Sequence, residues 1–301
     1  GNDKLTTYIK PMLAQIHDEP FDDGEWIFEI KWDGYRAVAE INSKGVKLYS
    51  RNGLSFLRLY PTVARELEKI NEDIVLDGEI VVMNQNNKSD FQKLQQYNHN
   101  PSLAIQYYVF DCLSYNGKST KHLPLLERKK IVEKVLPKSK ILKYSDHVAK
   151  NGVEFFSKII EMDLEGMIAK RASSPYLPGK RTRDWLKIKN HNTQKAVIVG
   201  YTAPKGSRQY FGSLILGMYE NKKLKYIGHT GTGFTSAILK EVFDILKPIR
   251  RATSPFEQKI AVNAPVTWVE PVIVCAIKFT EVTEEGILRH PVFQGLRVDK
   301  P

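Results

Sequence analysis

The chain has 301 residues, 42% of them hydrophobic, enough for one large domain or two ordinary ones, and this composition excludes a disordered tail. Lys and Arg number 45 against 34 Asp and Glu, a formal net charge of +11, and a field of that sign attracts polyanions. No apolar run reaches the length of a membrane span and no signal peptide opens the chain, so nucleic acid is favoured over a membrane. The only cysteines, Cys112 and Cys275, lie in apolar stretches without a Cys-x-x-Cys pair. They read as buried thiols, no zinc module is encoded, and a reducing cytoplasm is the expected setting.

Trp26, Ile27, Phe28 and Ile30 are bulky or β-branched and predict a strand ending at Lys31. There the glycine of Lys31-Trp32-Asp33-Gly34-Tyr35-Arg36 permits a turn that aims the amine into a cleft. A lysine so placed is a candidate nucleophile; the plainer reading is a solvated lysine beside a turn. Arg36 to Ile41, Asn42-Ser43-Lys44-Gly45 and Val46 to Tyr49 alternate, turn and alternate again, which predicts a hairpin. It runs into Ser50-Arg51-Asn52-Gly53, where Arg51 is either a surface turn residue or a phosphate contact. Pro61 opens a helical pattern with Val63, Ala64, Leu67 and Ile70 on one face.

Ile74 to Leu76 and Ile80 to Met83 flank Asp77-Gly78-Glu79, read as carboxylates at a glycine turn that either form a salt bridge or bind a ligand. Ile105 to Cys112 is a core strand carrying Phe110 and Asp111, with core packing the default for Phe110. Leu125 to Leu136 predicts an amphipathic helix whose basic face, Arg128, Lys129, Lys130 and Lys134, reads as solvated surface. Val153 to Met162 predicts another helix. In Glu165-Gly166-Met167-Ile168-Ala169-Lys170 an acid and a glycine lead into an apolar strand. A basic loop, Lys180, Arg181 and Arg183, precedes the strand Trp185 to Lys189, where a period of two puts Lys187 and Lys189 on one face. Two adjacent ammonium groups repel unless an anion lies between them, so the pair is either solvent-facing or a phosphate clamp.

The polar His191-Asn192-Thr193-Gln194 is read as a hinge. Beyond it come short strands at Ala196 to Tyr201, Ser213 to Tyr219, Leu224 to His229, Thr267 to Glu270 and Val272 to Phe279, with one helical stretch, Ser236 to Leu246. Five strands with a helix between the third and fourth, in roughly 110 residues, match the partly open five-stranded barrel that often binds nucleic acid.

Taken together, these stretches resemble the ATP-dependent DNA ligases, within the lysine nucleotidyltransferase superfamily that also holds mRNA capping enzymes and RNA ligases. Lys31 to Arg36 is similar to the nucleophile motif. Ser50 to Gly53, Asp77-Gly78-Glu79, Tyr108-Val109-Phe110-Asp111, Glu165 to Lys170 and Trp185 to Lys189 follow in the family's order. The tail Leu288 to Lys300 resembles the closing motif of the barrel domain, and with Gly200-Tyr201-Thr202-Ala203-Pro204 it is similar to the ligase module of the bacterial ligase D group.

The resemblance implies an α+β fold: a nucleotidyltransferase (adenylation) domain of antiparallel sheets with flanking helices over residues 1–190, then an all-β OB-fold domain over 191–301. It implies that the chain seals 3′-OH/5′-phosphate nicks in double-stranded DNA with ATP, through AMP carried on Lys31. An ordinary lysine pKa of about 10.4 leaves little neutral amine near pH 7, so Lys187, Lys189 or a divalent ion is expected to favour the neutral form. By resemblance, Lys187 and Lys189 hold the α-phosphate, while Arg36 and Arg51 contact the nucleotide or the nicked-strand phosphate. Phe110 stacks on adenine and Glu29 reads its edge. Ile30 and Met167 join the nucleotide site, and Asp33 serves the nucleophile. Glu79 and Glu165 offer oxygen donors to Mg²⁺ or Mn²⁺, with Glu79 alternatively on the ribose. Arg297 and Lys300 would reach pyrophosphate, oriented by Asp299.

The nearest relatives suggest a monomer in the bacterial cytoplasm at the nucleoid, acting in end joining with a Ku-type partner and with fused or associated polymerase and end-processing domains. An RNA-joining or capping member is the nearest rival, and a catalytically silent nucleic-acid-binding protein is the rival from another class. An NAD-dependent ligase would add a cysteine zinc module that is missing here.

Overall fold

The computed structural model describes residues 3–297, in two compact units that divide between Asn190 and His191. The first unit contains strands β1 (Leu13–Ile16), β2 (Asp22–Ile30), β3 (Tyr35–Asn42), β4 (Gly45–Ser50), β5 (Ile74–Met83), β6 (Ala104–Tyr115), β7 (Lys118–Ser119), β8 (Leu142–Tyr144), β9 (Val148–Asn151), β10 (Gly166–Arg171) and β11 (Arg181–Lys189). Its helices are α1 (Pro61–Leu67), α2 (Phe91–Gln95), α3 (Leu125–Val135) and α4 (Gly152–Glu161). One sheet has the order β1-β11-β10-β2-β9 and the other β4-β3-β5-β6-β7, with β8 added beside β6. Strand β2 belongs to the first sheet and β3 to the second, so Lys31 to Gly34 is the crossing between them.

That crossing is tight. A Cβ on Gly34 would lie 1.9 Å from the carbonyl oxygen of Ile80, which leaves room only for glycine. Apolar residues of β3, β5, β6 and α1 form one core, and Trp26, Phe28, Met167 and Ile188 with Phe156 and Ile159 of α4 form another. Between the sheets, Met12, Phe110, Leu113, Tyr176 and Trp185 make a third apolar cluster.

Several sequence expectations change here. Asp77-Gly78-Glu79 is not a turn: β5 runs straight through it, and Gly78 is glycine because a Cβ would meet the Tyr108 carbonyl oxygen at 2.3 Å across a bulge in β6. The basic face of α3 is only half solvated. Leu125, Arg128, Lys129, Val132 and Val135 form its buried stripe, while Lys130 and Lys134 face outward. Arg181 and Arg183 are not in a loop but within β11.

The second unit holds β12 (Asn192–Thr202), β13 (Leu214–Glu220), β14 (Lys223–Thr230), α5 (Ser236–Leu246), β15 (Arg250–Arg251), β16 (Val266–Phe279), β17 (Glu281–Val282), β18 (Leu288–Arg289) and β19 (Val292–Arg297). Its main sheet runs β14-β13-β12-β16-β15, with β19 on β16. Ile238, Leu239, Val242 and Leu246 turn one face of α5 into the core, and Thr235 caps the helix by accepting from Ile238 N at 3.2 Å. Asn192 to Gln194 pair with Phe279 to Ile277 inside β12 instead of forming an open hinge. Thr267 to Glu270 and Val272 to Phe279 are one strand, bulged where Ile198 and Gly200 pair with Ile273 and Trp268, so that Pro271 falls in the irregular stretch. Asp299 and Lys300 lie outside the described residues.

Candidate active site

Strand β2 ends at Ile30, and the Lys31 main-chain N–H donates to the Gly166 carbonyl at 3.0 Å, which fixes the crossing against the start of β10. There Gly166 pairs with Lys189 and Ile168 with both Lys187 and Glu29, so Lys31, Glu165, Lys187 and Lys189 share one end of one sheet. The Lys31 ammonium donates to Glu165 Oε1 at 2.6 Å. Burial works against the charge on Lys31, but Glu165, then Glu79 and Asp33, outweigh it and raise its pKa. Lys187 and Lys189, expected to favour the neutral amine, are therefore not what meets it: the immediate neighbour of the Lys31 ammonium is the Glu165 carboxylate.

The acids around Lys31 divide the charge. Burial pushes Asp33 well above the usual carboxylate range, Glu165 adds to this, and the Asp33 carboxyl is hydrogen-bonded to Glu165. Glu165 is held low because Lys31 overcomes its burial. Burial pushes Glu79 up to about 7, opposed by Arg36 and Lys31. Lys187 is lowered by burial and by Lys189, Arg181, Lys31 and Arg51, so a cluster of cations surrounds it. Such a cluster is suited to a phosphate.

Arg36 is turned inward. Its Nε and Nη2 donate to the two oxygens of Asp77 at 2.7 Å each, and Nη2 also reaches Met12 O at 2.8 Å. Tyr176 donates to the same Asp77 at 2.6 Å, and the guanidinium lies over the Phe110 and Trp185 rings at 5.1 and 5.6 Å. With 18% of its side chain exposed, Arg36 is chiefly held by Asp77, whereas Arg51 stands exposed on its turn.

Three of the sequence-derived nucleotide contacts differ from expectation. Phe110 is 8% exposed, packs edge-on against Trp185, and has the Lys170 ammonium 4.1 Å from its ring centre, so its face is not an open platform for a base. Met167 is fully buried in the β10 core, because a period of two sends Ile168 rather than Met167 to the site face. Glu29 is 1% exposed and occupied: Oε2 accepts from Lys129 at 2.8 Å and Lys170 at 3.0 Å, and Oε1 from Ser145 Oγ at 3.0 Å. Burial raises its pKa, but the two ammonium groups outweigh this and hold it low.

Sequence reasoning missed this network. Lys129 also donates to Ser145 O at 2.8 Å, and the Trp32 indole, stacked 3.7 Å from Tyr108, donates to Ser145 Oγ at 3.0 Å. It therefore links Glu29 to the residue beside the nucleophile. The available signal was positional: 128 and 129 sit between apolar 125 and 132 on the same helical stripe. Arg128, fully buried, clasps Asp111 in the same way at 2.7 Å.

A profile described as ATP dependent DNA ligase domain matches residues 11–189, and one described as ATP dependent DNA ligase C terminal region matches 207–300. The chain belongs to the ATP-dependent DNA ligases. Among ligase relatives, the "Multifunctional non-homologous end joining protein LigD" of Pseudomonas aeruginosa is 36% identical over 310 residues. That match takes in 100% of this chain but 37% of the relative, so the chain spans little more than a third of it. The "SPbeta prophage-derived DNA ligase-like protein LigB" of Bacillus subtilis is 28% identical, over 97% of this chain and 100% of that one. A solved structure described as "mycobacterial DNA ligase D complexed with ATP and MES" aligns with a TM-score of 0.81 at 30% identity, covering 97% of this chain and 96% of that chain. The ligase fold is thus an adenylation domain followed by an OB-fold C-terminal region.

As for a metal, among the described residues no group of three or more His, Cys, Asp or Glu is arranged to hold one alone. Glu79 and Glu165 offer two carboxylates beside Lys31. A hard ion such as Mg²⁺ uses one or two carboxylates and completes its shell with water and substrate phosphate, so these residues fit it. Among the described residues no helix is long and apolar enough to cross a membrane.

Proposed function

We propose that the chain seals nicks in double-stranded DNA with ATP, residues 1–190 acting as the adenylation domain and 191–301 as the OB-fold domain. The observation that carries this reading is the meeting of Lys31, Glu165 and the Lys187/Lys189 strand at one sheet end. Attack requires the Lys31 ammonium to release a proton to solvent, and because Glu165 at 2.6 Å stabilises the charged form, that ion pair must loosen before the neutral amine is free. The amine then attacks the α-phosphorus of ATP. A P–N bond forms, the bond to pyrophosphate breaks, and AMP remains on Lys31. The DNA 5′-phosphate next takes AMP from Lys31, and the 3′-hydroxyl displaces AMP to close the strand.

Phosphoryl transfer of this kind depends on positioning and charge neutralisation. Lys187 and Lys189 supply positive charge to the α-phosphate, and Arg51 reaches the nucleotide or the nicked strand. Asp33 orients Glu165. Arg36 is locked to Asp77 and lends its charge from behind the site, while Ile30, paired with Met167 and packed on the same core, anchors the end of β2 that delivers Lys31. Glu29, bound to Lys129, Lys170 and Ser145, and Phe110, packed on Trp185, brace the strands that carry the site and do not touch the base. Glu79 and Glu165 would hold Mg²⁺ or Mn²⁺, which supplies Lewis acidity to the phosphate oxygens. Arg297 and Lys300 serve pyrophosphate departure.

The LigD names support a place in end joining; we extend this to a Ku-type end-binding partner, to polymerase and end-processing domains in the same or an associated chain, and to action at the nucleoid. The test is sealing of a nicked DNA duplex against a nicked RNA duplex with ATP and Mg²⁺. DNA sealing is expected; sealing confined to RNA would place the chain with the RNA-joining relatives.

A further inference from the structure

The segment that precedes β1 has no part in the chemistry above, yet it is bonded to the turn that carries Arg51. Leu5 N donates to Gly53 O at 2.8 Å, Ser55 N donates to Asp3 O at 2.7 Å, and Lys4 and Leu54 form an antiparallel bridge. The turn is also tied within itself: Gly53 N donates to Ser50 O at 2.9 Å, and Ser50 Oγ accepts from Asn52 N at 3.3 Å and Leu54 N at 3.0 Å. The Tyr8 ring fills the space beneath. A Cβ on Gly53 would lie 2.5 Å from that ring, and φ of +83° at Gly53 independently favours glycine. Tyr8 meets Tyr49 edge-on at 6.3 Å, and Ile9 N donates to the Tyr49 hydroxyl at 3.0 Å, which in turn donates to Glu40 at 2.6 Å. The segment is thus fixed at one end to the β3–β4 hairpin and at the other to the turn.

We propose that residues 3–9 form a strap that positions Arg51, with Tyr8 as its positioning residue. The proposal rests on the reading of Arg51 as a phosphate contact. Arg51 is exposed on a turn beyond the end of β4, and two main-chain bonds with an aromatic floor hold that turn in one place. The charge of Arg51 is felt at Lys187, so the turn is held within electrostatic reach of the phosphate-binding strand. Phosphoryl transfer depends steeply on geometry, so a turn free to shift by about 1 Å loses on the order of 10- to 100-fold in the step that Arg51 serves.

The experiment compares Tyr8→Ala, Tyr8→Phe, Leu5→Pro, Arg51→Ala and the Tyr8→Ala/Arg51→Ala double variant in three assays: AMP labelling of the protein, AMP transfer to nicked DNA, and sealing of pre-adenylated nicks. Tyr8→Ala and Leu5→Pro are expected to depress whichever step Arg51→Ala depresses, by about 10-fold, with the other steps unchanged. Tyr8→Phe keeps the ring and should behave as wild type, and the double variant should be no slower than Arg51→Ala alone, because both changes act through one contact. Full additivity in the double variant, or an equal loss in all three steps, overturns the strap. So does wild-type behaviour of Tyr8→Ala when Arg51→Ala is slow. If Arg51→Ala itself leaves every step intact, the reading of Arg51 fails and the proposal with it.

Discussion

Replacing Lys129 by Met tests whether the buried Glu29 network is held as described. Lys129 is 1% exposed and gives one hydrogen bond to Glu29 and one to the Ser145 carbonyl, both at 2.8 Å. Met fills similar volume without the charge. Removing one partner of a buried ion pair costs about 3–5 kcal/mol when it strands the other charge. Here Lys170 stays on Glu29 at 3.0 Å, so the loss is nearer that of a charged hydrogen bond plus an unsatisfied carbonyl, about 2–3 kcal/mol. With a urea m-value of about 2–3 kcal/mol/M, the midpoint should fall by about 1 M. Trp32 reports the change directly, since its indole is bonded to Ser145. Glu29→Ala leaves two buried ammonium groups without their shared carboxylate and should cost more than Lys129→Met. Lys130→Met, on the outward side of α3, should stay within about 0.5 kcal/mol of wild type. If Lys129→Met were as mild as Lys130→Met, or Glu29→Ala the milder of the two buried changes, Glu29 would not be the hub of this network.

Other outcomes follow from the same geometry. Glu79 has its pKa raised from 4.5 to about 7, so the folded chain holds that proton more tightly than the unfolded chain. Its contribution to stability is full below pH 4.5 and lost as pH rises through 7; the stability of Glu79→Gln relative to wild type should therefore improve between pH 5 and pH 8, by up to about 3 kcal/mol in paired urea titrations. A flat difference would mean that Glu79 titrates normally. Gly78→Ala, whose Cβ would meet the Tyr108 carbonyl oxygen, should cost at least about 2 kcal/mol of stability by the same method, while Gly24→Ala, in open space, should cost little. Arg297→Ala should slow AMP labelling of the protein more than sealing of pre-adenylated DNA, and equal losses in a side-by-side rate measurement would remove it from pyrophosphate departure.

What the sequence made legible was local. The alternation in β11 placed Lys187 and Lys189 on one face, and the apolar run before Lys31 gave the strand end that the structure has. What it hid depended on distant partners. Nothing near Gly78 announces that Tyr108 passes 2.3 Å from its missing Cβ, so a strand interior read as a turn. Arg128 and Lys129 looked solvated because charge was weighed above their place on the buried stripe, and their partners Asp111 and Glu29 lie 17 and 100 residues away. A period of two would have separated Met167 from Ile168. Phe110 lies at a bulge, where that period fails.

The central claim concerns one amine. Protein incubated with radiolabelled ATP and Mg²⁺, then digested and mapped by mass spectrometry, should carry AMP on the peptide containing Lys31 and on no other, and Lys31→Ala should carry none. AMP on Lys170, Lys187 or Lys189, or a label that persists in Lys31→Ala, would contradict the account.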